Sequence, residues 1–359
     1  MKSKSLILLI ALAAVLLALA KFTSGNRRAK TPPVAGEPVF PSLDLSQVRA
    51  VEIAAEGQVL RIEQQGDAWA VTNVFGYPAD LARLRPALIA LGDLKIGHRQ
   101  PGGAIDPASA TSVAIFGENG APLAGLVLGG MRESTQQQAT PYGMMGMGAD
   151  GRYISRADSS DVFLVKETLG EFVPSAMAWI DPSLLSVPAA DLARIEMAAP
   201  DGATLAFDRS SGTLEMEGLA EGEEFDASKS YGIESAFAYL RLSGVADPAL
   251  DDAATGLADD DAHRFAATTK DGTTYTATIG ATVPGGSDRY LRLDIDPGTN
   301  AVPAGLAAKR KLFETFTFHV PAHAAQNMVR SRTDLLKAPP PPAAEAEPPA
   351  TQPTAQEEE

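Results

Sequence analysis

The sequence predicts an α+β protein of two repeated modules, each an antiparallel sheet with one packed helix, after an N-terminal membrane helix. Three observations predict this. An unbroken apolar run covers residues 6–20 with basic residues on both flanks. The pattern Val51-Glu52-Ile53-Ala54-Ala55 returns 144 residues later as Ile195-Glu196-Met197-Ala198-Ala199. Around both copies, apolar residues alternate with a period of two and then switch to a single helical stripe.

The elements follow in order. Lys2 and Lys4 precede the apolar run, and Lys21, Arg27, Arg28 and Lys30 follow it. Fifteen helical residues reach about 22 Å, so Phe22 and a snorkelling Lys21 are needed to span a ~30 Å hydrocarbon core. Two outcomes compete: cleavage after the small-x-small sequence Ala18-Leu19-Ala20, or retention of 1–22 as a signal anchor. Residues 23–43 hold Gly25, Pro32, Pro33, Gly36, Pro38 and Pro41 and read as a linker.

The first module is expected over 44–180 and the second over 181–337. Each opens on Asp-Leu (Asp44-Leu45; Asp191-Leu192), then turns through Gly57 or Asp201-Gly202 into a second strand. The stripe Leu84, Leu88 and Leu91 predicts the first helix and Ile233, Phe237 and Leu240 the second. Asp80 and Asp226 are the expected N-caps, and Pro86 implies a kink or a late start. Ser112-Val113-Ala114-Ile115-Phe116 and 126–129 form the next hairpin of the first copy; 264–269 and 275–280 form that of the second. Arg152-Tyr153 and Arg289-Tyr290 open the strands after these. Trp69 and Trp179 read as core residues. The last 22 residues, 338–359, contain seven prolines, five acids and no base, a composition that orders no core of its own.

Composition narrows the function. The 359 residues carry Lys+Arg 30 against Asp+Glu 45, a net charge of -15, and no cysteine. An acidic chain argues against nucleic-acid binding, and the absence of thiols removes disulfides, thiol catalysis and cysteine-ligated zinc. A single apolar run excludes a polytopic transporter, and no G-x-x-x-x-G-K-[ST] is present, so the chain is not a transporter's ATPase.

Several segments together resemble the bacterial domain-of-unknown-function family 4340. They are Leu43-Asp44-Leu45, Trp69-Ala70-Val71 before Gly76-Tyr77-Pro78-Ala79-Asp80, Leu94-Lys95-Ile96, Arg152-Tyr153, Trp179-Ile180-Asp181 and Asp334-Leu335-Leu336. The second copy lacks the Trp and the Gly-Tyr-Pro. The resemblance implies a membrane-tethered envelope protein with a retained leader, of a family whose genes often lie beside an ABC-type permease and a gliding-motility-type auxiliary subunit. It brings no catalytic residues.

Motifs for chemistry are few. Gly146-Met147-Gly148-Ala149-Asp150-Gly151 matches G-x-G-x-x-G, but Pro141-Tyr142-Gly143 precedes it and a strand follows, which is the wrong setting for a dinucleotide. His319 and His323 are separated by Pro321, which prevents their alignment as metal ligands on one helix; His98 and His263 stand alone. Asp251, Asp252 and Asp259-Asp260-Asp261 lack the alternating ligands of a calcium loop. One cluster is unusual: Met144, Met145 and Met147, with Met131 upstream, in a glycine-rich hairpin tip. It reads as a plain tip, as an adaptable protein contact, or as a soft Cu(I) site.

The expected function is a non-enzymatic accessory protein with no cofactor. It is placed on the inner membrane as a single-pass protein with its folded part in the periplasm, contacting an ABC-type permease or auxiliary subunit through Met144, Met145 and Met147. The alternative is an exported copper- or small-ligand-binding protein.

Overall fold

Strand β1, Ala50–Ala55, buries Val51 and Ile53 and turns Glu52 outward, where Arg61 pairs with it. Glu56 and Gly57 both have positive φ, the backbone of a two-residue hairpin turn, and lead into β2, Gln58–Gln65. This computed structural model describes residues 35–101, 103–134, 137–140, 143–146, 149–299 and 304–337. The leader, most of the linker and the tail lie outside the described residues.

After β2 come β3 (Ala68–Val71), β4 (Tyr77–Pro78), helix α1 (Leu81–Gly92), β5 (His98–Gln100), β6 (Thr111–Phe116) and β7 (Pro122–Glu133). A two-stranded ribbon, β8 (Gln137–Thr140) and β9 (Gly143–Gly146), separates β7 from β10 (Ala149–Arg156), and β11 (Val162–Val165) follows. The second half contains β12 (Ser183–Leu185), β13 (Leu192–Ala198), β14 (Thr204–Asp208), β15 (Glu215–Met216), α2 (Ser230–Glu234), β16 (Leu240–Arg241) and β17 (Gly244–Val245). It continues with α3 (Asp252–Thr255), β18 (His263–Thr269), β19 (Thr274–Thr282), β20 (Arg289–Asp296), α4 (Ala304–Thr315), β21 (Phe318–Val320), α5 (Ala322–Met328) and α6 (Arg332–Leu335).

The protein is sheet-rich α+β. One sheet runs β4-β3-β2-β1-β6-β7-β10-β11-β5 and the other β15-β14-β13-β18-β19-β20-β21-β17, with antiparallel pairing throughout. The two orders coincide from β3/β15 to β5/β17, and so do the registers. Glu52 lies opposite Arg61 and Ala114, and Glu196 opposite Ala206 and Ala266. Leu126 lies opposite Val113 and Ala277 opposite Phe265; Ile154 lies opposite Leu128 and Leu291 opposite Ile279.

The core-facing side of the first sheet carries Val51, Ile53, Leu60, Ile62, Val113, Ile115, Leu126 and Leu128, and α1 adds Leu84, Ala87, Leu88 and Leu91. The corresponding side of the second carries Ile195, Phe207, Phe265, Ile279 and Leu291. These belong to one continuous cluster. Its seam includes Tyr77, 3% exposed, edge-on to Phe316 at 5.1 Å and Phe318 at 6.4 Å. Burial, with the nearby Asp181 carboxylate, pushes the Tyr77 phenol up. Lys309 on α4 donates to the Leu184 carbonyl at 2.7 Å.

Asp80 caps α1, accepting from Ala82 N; Asp226 accepts from Ser228 N at the head of a 3-10 turn, Ala227–Lys229, that runs into α2, so it caps that turn and not α2 itself. Each half also closes in the same way, with Asp80 N donating to Trp179 O at 2.7 Å and Asp226 N to Leu335 O at 2.9 Å. Helix α1 runs unbroken through Pro86, which sits on its exposed side. The second helix is shorter than its stripe predicts. Ile233, Phe237 and Leu240 are all buried, but only 230–234 is α-helical and Leu240 begins β16. Gly232 weakens helix there, and the chain is drawn off to pair β16 with β12.

Candidate functional site

The ribbon grows from a feature present in both sheets. In β7/β10 the register slips between Arg152↔Met131 and Ile154↔Leu128; in β19/β20 it slips between Arg289↔Thr282 and Leu291↔Ile279. Inside each bulge a glycine carbonyl turns toward an arginine: Arg152 Nε donates to Gly129 O at 2.8 Å, and Arg289 Nε to Gly280 O at 2.7 Å. Neither glycine has room for a methyl group. A Cβ on Gly129 would press on Ile105 and the Tyr153 carbonyl, and one on Gly280 would overlap the Thr255 carbonyl. Arg152 also donates to the Thr168 and Leu169 carbonyls at 3.2 Å. Burial holds both guanidinium groups below their usual pKa, because carbonyls rather than carboxylates receive them.

From this shared bulge the halves diverge. Six residues join Thr282 to Arg289, whereas 20 join Met131 to Arg152. Arg132 pairs with Asp150 at 2.6 Å across the base of the longer connection. Beyond that pair, residues 134–149 carry no charge at all in a chain whose charged fraction is 21%. Met144 and Met145 occupy β9 opposite Ala139 and Gln138. Met147 lies outside the described residues. Met131, at the foot of the ribbon, is 48% exposed.

The other motifs are accounted for locally. Gly146 ends β9 and 149–151 belong to β10, so no helix follows the G-x-G-x-x-G sequence to receive a phosphate. Asp251 caps α3 and Asp252 pairs with Arg292. His98 is exposed on an edge strand, and His323 is exposed on α5. His319 sits on β21 against Tyr290, with a buried Nε2 that has no partner. Burial pushes His263 and His319 below 6.5; Arg289 lowers the first further, and Asp288 opposes the shift of the second. Among the described residues no three of His, Asp and Glu gather as a metal site, and no helix is long and apolar enough to cross a membrane. Trp179 is buried, with Nε1 donating to Val173 O at 2.9 Å; Trp69 is half-buried against the core.

Sequence reasoning missed the roles of Arg152 and Arg289. The repeated Arg-Tyr pair, each downstream of a glycine that ends a strand pattern, is the signal that marks them.

Fold and site define a sheet-rich α+β scaffold whose β7–β10 connection is long, uncharged over 134–149 and paired into a two-stranded ribbon. The chain belongs to the family described as "domain of unknown function (DUF4340)", whose model matches residues 69–260. No curated protein and no solved structure matches it.

Proposed function

We propose that this chain is a non-enzymatic accessory protein of the bacterial envelope, tethered to the inner membrane by residues 1–22 with its folded part in the periplasm. Its folded part is a duplicated module, 44–180 and 181–337. The ribbon carried on the first copy meets an ABC-type permease or its auxiliary subunit. The matching strand orders, registers and bulges support the duplication. The basic-flanked apolar run and the family's genomic setting support the tether and the partner.

One observation carries the contact: a connection that needs six residues in one half spends 20 in the other, with a long uncharged stretch. Natural strand edges are normally blunted by charge or proline, and a loop on a rigid scaffold is a common recognition element. Methionines at Met144, Met145 and Met147 suit an adaptable contact.

The test is affinity purification of the full chain from solubilised membranes, with and without Met144→Ser, Met145→Ser and Met147→Ser together. The permease is expected with the parent and several-fold less with the triple variant, at unchanged melting temperature. Equal recovery refutes the contact. Copper-dependent stabilisation of the parent would favour the metal-binding alternative.

A further inference from the structure

Matching the halves isolates one residue that breaks the pattern. On β20, Leu291 and Leu293 both face the core and are buried. On β10, Ile154 matches Leu291. Two residues on, opposite Leu126 as Leu293 is opposite Ala277, stands Arg156. A guanidinium occupies a core-facing position that the same fold elsewhere fills with leucine.

The Arg156 side chain is only 17% exposed, and its Nε is buried without a hydrogen-bond partner. Asp158 stands 3.2 Å from that nitrogen as an ion-pair partner, but off the direction of its N–H. Holding a charge out of water without completing its hydrogen bonds is unfavourable, and the leucine of the second half shows that the fold does not require it. The two residues line a cavity of about 430 Å³ whose other walls include Phe40, Leu43 and Leu123. That volume lies in the range that small-molecule sites fill, and an apolar wall with a few convergent polar groups is their usual construction.

A guanidinium offers two donor forks. Asp158 stands beside Nε without taking its hydrogen bond, and the pair of Nη groups is a planar fork that matches a carboxylate. We propose that this cavity binds a small carboxylic acid with a compact apolar body, its carboxylate on Arg156 and its body against Phe40 and Leu43.

The test uses the full chain in lipid nanodiscs, probed with acetate, butyrate and benzoate, and with benzamide as the uncharged control. Ligand-observed NMR and melting temperature are the readouts. Benzoate is expected to bind and raise the melting temperature, and benzamide to do neither at the same concentration. Arg156→Leu, which copies the second half, should fold with a melting temperature at or above the parent's and weaken benzoate at least about tenfold. Leu43→Trp, which fills the cavity and keeps the charge, should also abolish binding and decides the matter if Arg156→Leu does not fold. Equal binding of benzoate and benzamide, benzoate binding unchanged in either folded variant, or no binding of any acid at about 10 mM overturns the proposal.

Discussion

Trp179 ties the end of the first half to the start of its helix, and removing it tests whether the core is one unit. Its side chain is 2% exposed, its ring centroid lies 5.9 Å from that of Phe172, and its Nε1 donates to Val173 O. Its carbonyl accepts from Asp80 N, the N-cap of α1. Trp179→Ala leaves a cavity in a dense interior and an unpaired Val173 carbonyl, a loss of about 3–5 kcal/mol. Trp179→Phe keeps most of the ring contacts and should lose about 1–2 kcal/mol. For a chain of this size the alanine variant should melt about 6–12 °C lower. The assay is denaturant unfolding followed by far-ultraviolet circular dichroism and by fluorescence. Trp69, the other tryptophan of the chain, then reports alone from the first sheet. Because one hydrophobic cluster spans both sheets, the two signals should move together in a single weakened transition. A loss below about 1 kcal/mol would refute the packing argument. Two separated transitions would refute the shared core.

Two further outcomes are expected. Arg209 and Glu234 form an ion pair at 2.6 Å with side chains 12% and 15% exposed, so Glu234→Gln should lose about 3 kcal/mol by leaving a buried guanidinium uncompensated; replacing both by Met should recover most of it in a double-mutant cycle. His263 and His319, held below 6.5 by burial, take up protons more readily when unfolded. The stability they support is therefore present above about pH 6.5 and declines as the pH falls toward their folded values; His319→Gln should flatten that decline, and an unchanged slope in urea titrations at a series of pH values would contradict it.

Much of the strand framework was legible in the sequence because its signals are local. Val51 and Ile53 alternate with Glu52, Gly57 sits where a positive φ is required, and Asp80 and Asp226 stand one residue before their helical turns. The second helix misled because its stripe is satisfied by burial alone: Phe237 packs edge-on against Phe265 at 5.0 Å without being helical. Helix α4 was not foreseen, although Leu306, Lys309 and Phe313 lie at helical spacing and Phe313 is buried. The coincident bulges were out of reach, since a register slip is a relation between strands that neither strand records by itself. Arg156 was passed over for the same reason: in the sequence it ends a strand with other polar residues, and only its alignment with Leu293 shows that it faces inward. Of the ribbon, the methionines stood out, while the matching bulges that set 132–151 against the shorter 283–288 needed both registers.

In the proposed function the ribbon, and not the two-sheet scaffold, makes the partner contact. The direct measurement replaces residues 132–151 with the second half's 283–288, joining Met131 to Arg152 as Thr282 is joined to Arg289. The full chain is then purified from solubilised membranes beside the parent. An unfolding free energy within about 1 kcal/mol of the parent's together with loss of the permease is the predicted result. Recovery of the permease at the parental level from that folded variant would contradict it.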